Sequence, residues 1–274
     1  MPTWRDLIAA SGLPKSEAQL LAAHALGKPR SWMLAHDDDE VTAVEAGAVE
    51  ATLAAFARRR AGEPVAYVLG EREFYSLMFA VTPAVLIPRP ETELLVDLAL
   101  ERLPQGGRLL DVGTGSGAIA VAVAHARPDA EVWAADISPD ALAVARLNAK
   151  RHGARIRFVH SDLLEGFSGQ RFDVIASNPP YIAEADPHLS EGDLRFEPQG
   201  ALASGPDGQT LIRRLAAAAP AHLAPNGWLL FEHGYDQGPA CNSLLLEKNY
   251  KEVITNIDLS GQPRVTAGRL ANLT

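Results

Sequence analysis

DVGTGSGAIA, residues 111–120, begins on the last two residues of an apolar run, RLLDV (108–112), and leads straight into an alanine-rich helical pattern. Gly113 and Gly115 permit backbone conformations and close approaches that a Cβ would block. Past Gly117 the start of a helix offers backbone N–H groups with no partner inside the helix. The stretch therefore reads as strand, tight turn, helix. The same alternation continues along the chain. Strand EVWAA (131–135) precedes helix PDALAVARLNAKRH (139–152), and strands IRFVH (156–160) and FDVIAS (172–177) follow. A helix near 208–219, strand WLLFEH (228–233) and a helix near 236–248 come next. Such alternation predicts a parallel sheet covered by helices on both faces. KEVITNI (251–257) and RVTAGRL (264–270) have no helix between them, which predicts an antiparallel pair at one edge.

Toward the N-terminus the pattern changes twice. ETELLVDLALERL (91–103) is helical, and Pro83, Pro88 and Pro90 break regular structure before it. VAYVLG (65–70) and EFYSLMFAV (73–81) are aromatic and β-branched and predict the two strands of a hairpin. Residues 1–62 read as helices. Ala18, Leu21, Ala22 and Ala25 share a stripe in SEAQLLAAHAL (16–26), and Ser31 is placed to begin a short helix over 31–36. Thr42 and Glu45 have capping-box spacing before a longer helix that ends at Gly62. The expected organisation is a helical domain over 1–64, a hairpin linker over 65–90 and an α/β domain over 91–274. The helical domain is either a stabilising appendage or a module that docks a partner.

DVGTGSGA satisfies G-x-G-x-x-G/A, with Ala118 in the last place. Asp136 ends the second strand about twenty residues on, where a carboxylate can accept from both ribose hydroxyls. Loop and acid together point to an adenosine-containing cofactor; the alternative is a glycine turn needed only for strand–helix packing. The loop does not itself separate a nicotinamide dinucleotide from S-adenosyl-L-methionine. Asp111 tilts the reading, because a carboxylate there would repel a pyrophosphate yet attract the ammonium of a methionine moiety. In SDLL (161–164), Asp162 is a candidate acceptor from the adenine amine or a helix cap, and Leu163 is expected to pack the ring.

SNPPYI (177–182) closes the strand at 172–177. In sheets of this kind that strand ends beside the first, so Asn178 is expected at the ligand crevice. Pro179 restricts Asn178 to extended backbone, and Pro180 fixes the Pro179 carbonyl. The Asn178 side-chain oxygen and that carbonyl form two acceptors suited to a planar NH₂ group, an amide or an amino-purine. Gripping both N–H bonds orients the nitrogen for attack on a sulfonium methyl. Tyr181 is placed to stack on the substrate or to face the sulfonium. No residue stands out as a general base. In isolation NPPY also reads as a type VI or polyproline turn.

The chain has 274 residues, 47% hydrophobic and 22% charged, with a net charge of −9. That balance fits a soluble protein with a full core and disfavours broad attraction to nucleic acid. The one cysteine, Cys241, excludes an internal disulfide, suits a reducing cytoplasm, and reads as a buried inert thiol. No signal peptide or membrane span is evident. Scattered histidines give no metal site, and DDDE (37–40) reads as a solvated turn.

These motifs resemble the protein-glutamine methyltransferases that modify peptide chain release factors. The likeness runs through EAQLLAAHALGK, GEPVAYVLGEREFYSLMFAV, LIPRPETE, DVGTGSGAIA, SNPPYI, DPHL, RFEPQGAL, FEHG and RVTAGR, and is weaker over 241–262. NPPY is shared with enzymes that methylate adenine amines, whereas IPRPETE with RFEP and the helical leader is more specific. The resemblance implies the seven-stranded, Rossmann-like S-adenosylmethionine-dependent methyltransferase fold with an N-terminal helical bundle. It implies methyl transfer to the side-chain amide nitrogen of the glutamine in a release factor's Gly-Gly-Gln motif, with S-adenosyl-L-homocysteine as product. By motif position, Gly113, Thr114, Gly115, Ser116, Gly117, Asp136, Leu163 and Asn178 would hold cofactor. Asn178, Pro179, Pro180 and Tyr181 would hold the glutamine amide, and Arg89, Pro90 and Glu91 would shape the pocket. The helical domain would dock the release factor, with no direct nucleic acid contact: through residue 70 it carries 7 basic against 9 acidic residues. The alternatives are a methyltransferase acting on an adenine or guanine amine, a nicotinamide-dependent dehydrogenase that leaves NPPY and Asp111 unexplained, and a silent binding module.

Overall fold

The computed structural model describes residues 2–42 and 45–270, which form two units. The first is Met1–Glu71 with Gly192–Phe196; the second is Arg72–Glu191 with Glu197–Thr274.

The first unit contains helices α1 (Trp4–Ala10), α2 (Lys15–Ala25), α3 (Arg30–His36), α4 (Ala46–Arg60) and α5 (Val65–Leu69). Trp4, Leu21, Met33 and Phe56 are buried together at its centre, with Ala18, Ala22 and Ala23 of α2 allowing close helix approach. α1 starts at a full capping box, Thr3 with Asp6. α3 follows Pro29, so Ser31 lies inside the helix rather than capping it. At Thr42 only half of the expected box forms: the Glu45 carboxylate accepts from the Thr42 N–H and hydroxyl, both at 2.9 Å. Asp37 of the DDDE turn is buried and accepts from Arg5 at 2.8 Å.

The stretch 65–70, expected as a strand, is helix α5. Pro64 precedes it with its fixed φ, Gly70 closes it at φ 74°, and Val65, Val68 and Leu69 pack on the helical core. Burial of one apolar face outweighs the β preference of Val and Tyr. The first unit accordingly extends past residue 64 to Glu71. The hairpin lies wholly in the next stretch, β1 (Glu71–Phe74) and β2 (Leu77–Ala80). Its two-residue turn is Tyr75–Ser76, at φ 52° and 59°. Side chains normally avoid that region, but Tyr75 donates its N–H to Glu93 at 2.8 Å and its hydroxyl to Asp97 at 2.7 Å.

The second unit continues with α6 (Glu93–Arg102), β3 (Arg108–Val112), α7 (Ala118–Ala126), β4 (Glu131–Asp136), α8 (Pro139–Arg151), β5 (Ile156–His160) and β6 (Phe172–Ser177). Then come α9 (Thr210–Ala218), β7 (Leu223–Glu232), α10 (Gly238–Glu247), β8 (Tyr250–Ile257) and β9 (Pro263–Leu270). The seven-stranded sheet runs β5-β4-β3-β6-β7-β9-β8, parallel from β5 to β7 and antiparallel at β9 and β8. This is the α/β architecture expected from the alternation. β7 begins earlier than expected, and its pairing with β6 shifts register between Phe172 and Val174.

Central strands send alternate residues into two cores. Leu109, Val174, Ala176 and Leu230 join one with α6 and α7; Leu110, Ile175, Leu229 and Phe231 join the other with α9 and α10. The chain steps from β3 to β4 and β5 on one side, then returns to lay β6 on the other. The order therefore reverses at the β3–β6 pair, where Val112 stands opposite Ser177. The loops after these two residues leave the sheet side by side.

Candidate active site

Outside the carboxyl ends of β3, β4, β5 and β6 lies a cavity of about 450 Å³ within the second unit. Gly113, Thr114, Gly115 and Ser116 form part of its wall, joined by Asp136, Asp162, Leu163, Asn178, Pro179 and Pro180. Gly113 and Gly115 take φ 71° and 55°, and a Cβ at either would meet nothing within 4 Å. Their glycine is required by backbone conformation, and the space before them is open to a ligand.

The loop is held from several directions. Gly113 and Thr114 both donate to the Ala135 carbonyl at 2.9 Å. The Asp136 carboxylate accepts from Gly115 N–H and from Ser138 N–H, each at 2.9 Å. Asn148, fully buried on α8, donates to the Ser116 carbonyl at 2.8 Å and exchanges two bonds with Ala80 of β2.

Asp111 and Gly117 stand apart from the expected cofactor set, because neither lines the cavity. Asp111 shares the face of Leu109 and is fully buried. Its Oδ2 accepts from the Thr114 hydroxyl at 2.6 Å and from Ala120 N–H at 3.2 Å, tying the loop to α7. Its Oδ1 has no hydrogen-bond partner. Burial pushes this carboxyl up to about 7, and the Asp136 charge adds to that, while the bonds from Thr114 and Ala120 pull the other way. Gly117, at φ 83°, would place a Cβ 3.1 Å from Ala145 Cβ. It sets the close approach of α7 to α8.

Leu163 sits in the left-handed region at φ 48°, uncommon for a residue with a side chain. Ser161 fixes it, its hydroxyl donating to the Leu163 carbonyl at 3.1 Å and accepting from Gly166 N–H at 2.9 Å. Asp162 is paired with Arg214 of α9 at 2.9 Å, and both line the cavity.

On the β6 side all peptide bonds among the described residues are trans, so NPPY is not a type VI turn. The Asn178 amide donates from Nδ2 to the Thr92 hydroxyl at 3.0 Å. Thr92 in turn donates to Glu232 Oε2 at 2.7 Å, and Tyr181 donates its hydroxyl to Glu232 Oε1 at 3.1 Å. Glu232 is 1% exposed. Burial pushes its carboxyl up to about 7, against the two hydroxyls and Arg264. Tyr181 therefore stands behind the wall rather than on it, and burial with the adjacent Glu232 raises its phenol. Its carbonyl accepts from Gln237 at 3.0 Å, and Ile182 N–H bonds to Leu202 O at 3.0 Å, which fixes the chain leaving the turn.

IPRPETE contributes differently from expectation. Arg89 and Thr92 line the cavity, whereas Pro90 and Glu91 do not. Pro90–Thr92 is one turn of 3₁₀ helix, in which residues three apart share a direction. Arg89 pairs with the fully buried Glu197, which also accepts Ile87 N–H at 2.9 Å. Thr92, Glu232, Glu197, Arg214 and Asn148 are not among the residues expected from the sequence. For Thr92, Glu232 and Glu197 the signals were their places inside IPRPETE, FEHG and RFEP, and for Asn148 a polar residue on the buried stripe of α8; Arg214, on α9, lies in none of these motifs.

Among the described residues there is no group of three His, Cys, Asp or Glu side chains placed to hold a metal ion, and no helix long and apolar enough to cross a membrane. Cys241 is buried.

A family model described as "Methyltransferase small domain" matches residues 90–192, and one described as "PrmC N-terminal domain" matches 4–70. The chain is 51% identical over 274 residues to the release factor glutamine methyltransferase of Bordetella pertussis (strain Tohama I), covering 98% of this chain and 100% of that protein. It is 44% identical over 262 residues to the release factor glutamine methyltransferase of Escherichia coli (strain K12), covering 95% and 94%. A crystal structure of a methyltransferase from Pyrococcus furiosus is similar in fold, with a TM-score of 0.55 at 18% identity over 78% of this chain and 97% of that one.

Proposed function

The chain belongs to the release factor glutamine methyltransferases, and from that membership we propose that its cavity holds S-adenosylmethionine on the β3–β5 side and the glutamine amide on the β6 side. It is a methyltransferase whose substrate is a peptide chain release factor. The acceptor we assign is the side-chain amide nitrogen of the glutamine in a Gly-Gly-Gln motif.

The residues present fit the cofactor. The open space before Gly113 and Gly115 admits a ligand against bare backbone. Asp136 keeps lone pairs for ribose hydroxyls beyond the two N–H groups it accepts. Leu163 offers an apolar surface to the adenine, and Asp162 an acceptor beside it. When bound, S-adenosylmethionine supplies a methyl group carried on a positively charged sulfur.

Asn178 turns its NH₂ toward Thr92, which leaves Oδ1 as the atom that accepts an N–H of the substrate amide. Pro179 and Pro180 stiffen the backbone that carries it. An amide nitrogen held by its N–H groups would be oriented toward the methyl, the N–C bond forming as the C–S bond breaks and one N–H, made acidic by alkylation, releasing its proton. Positioning with electrostatic support is the main contribution of the chain. Tyr181 acts by bracing Glu232 rather than by touching the reacting atoms. The first unit we assign to docking the release factor, and the cytoplasm is the compartment this reading requires.

The observation that carries the reading is the register Val112 opposite Ser177, which brings DVGTGSG and NPPY to one cavity. Transfer of labelled methyl from S-adenosylmethionine to purified release factor, wild type and with the motif glutamine replaced by alanine, tests it. Label on the wild-type substrate alone is expected. Label on both or on neither overturns the reading, and label on free DNA or RNA would favour a nucleobase amine as acceptor.

A further inference from the structure

We infer that Thr92 and Glu232 are positioning residues that fix which end of the Asn178 amide faces the substrate. This deepens the proposed function and rests on it. An asparagine side chain is nearly symmetrical in shape, so packing alone does not decide whether O or NH₂ points into a pocket. Hydrogen-bond polarity does decide it.

The polarity is set at the far end of the chain of bonds. Above pH about 7 Glu232 is a carboxylate and only accepts, and its two oxygens accept hydrogen bonds from the hydroxyls of Thr92 at 2.7 Å and Tyr181 at 3.1 Å. Thr92 has one hydroxyl hydrogen. With that committed to Glu232, Thr92 presents only a lone pair to Asn178, and only the Nδ2 end can answer it, at 3.0 Å. Oδ1 is thereby held as the acceptor on the cavity side. Reversing the amide would set Oδ1 against the Thr92 oxygen with no hydrogen between them.

The fold gives each member its place. Glu232 ends β7 on the face of Leu230, toward the core that α6 helps to build. Thr92 closes the 3₁₀ turn that leads into α6, and is 4% exposed. Tyr181 lies three residues past Asn178, so one carboxylate braces both ends of the NPPY turn. A mere structural filler at position 92 would need no hydroxyl.

Thr92→Val keeps shape and removes the hydroxyl; Thr92→Ser keeps the hydroxyl; Glu232→Gln keeps shape and makes the polarity ambiguous. Steady-state methylation of wild-type release factor is measured for each, with S-adenosylmethionine affinity measured separately by calorimetry. Thr92→Val is expected to lower kcat by about 10-fold or more, the scale of a small misplacement at a reacting centre. Cofactor affinity should hold and Thr92→Ser should recover most of the rate. In an Asn178→Ala background, Thr92→Val should cost nothing further, because its effect passes through Asn178. A Thr92→Val enzyme at wild-type kcat, or one whose loss adds fully to that of Asn178→Ala, overturns the inference. If Thr92→Val does not fold, Glu232→Gln carries the same comparison, with an intermediate loss expected and wild-type kcat overturning it. Failure of the wild-type enzyme to label release factor overturns the functional reading itself, and this inference with it.

Discussion

Replacing Asn148 by alanine should destabilise the second unit by about 3 kcal/mol. Asn148 is fully buried on α8 and makes three hydrogen bonds to backbone. It accepts Ala80 N–H at 2.7 Å, donates to Ala80 O at 2.9 Å and donates to Ser116 O at 2.8 Å. Each such bond contributes about 1 kcal/mol net, and a buried group left unpaired costs roughly 1–3 kcal/mol. Ala80 is half-buried and regains some hydration, which holds the sum near the lower end. For a unit of this size about 3 kcal/mol lowers Tm by roughly 6–12 °C. Thermal unfolding by circular dichroism reads the shift, and hydrogen exchange should rise in peptides covering β2 and the 113–117 loop. Asn148→Asp should fall at least as far at pH 8, where a carboxylate would face two carbonyl oxygens. It should recover partly at pH 5, where a protonated carboxyl can donate. A Tm loss below about 3 °C for the alanine variant would show that these three bonds do not hold β2 and the loop in place.

Two further outcomes rest on other buried groups. Asp111 titrates near 7 in the folded chain against an ordinary value of 3.8, so the folded state binds the extra proton between those limits and stability falls as pH rises through them. Asp111→Asn should therefore raise Tm relative to wild type more at pH 8 than at pH 5, and an equal shift at both would contradict the assignment. The Cys241 thiol, buried and pushed up to about 12, should ignore a disulfide reagent in the native protein at pH 8 and react fully after denaturation.

What could be read in advance was local. DVGTGSG, Asp136 and NPPY each sit at a strand end, where spacing along the chain fixes position in space, and the reversal of strand order brings them together. Two kinds of feature escaped. VAYVLG carries strand-forming residues yet is a helix, because the helical core of the first unit covers its apolar face. The hairpin turn at Tyr75–Ser76 lacks the Asn-Gly signature such turns favour, and is held by Glu93 and Asp97 instead. The bonds among Asn178, Thr92, Glu232 and Tyr181 join residues up to 140 positions apart, a pairing no local pattern contains. Asp111 was legible as a functional carboxylate but not as one turned from the cavity. Its register on β3 places it on the α7 face, where it ties the loop to that helix.

In the proposed reaction Asn178 holds the substrate amide at a cavity whose other half holds the cofactor. The most direct measurement is the turnover of Asn178→Ala on wild-type release factor at saturating S-adenosylmethionine, beside the cofactor's affinity for the same variant. A loss of about 10²-fold or more in kcat is expected, the scale of one preorganised polar contact, with cofactor affinity little changed. Turnover near wild type would contradict it.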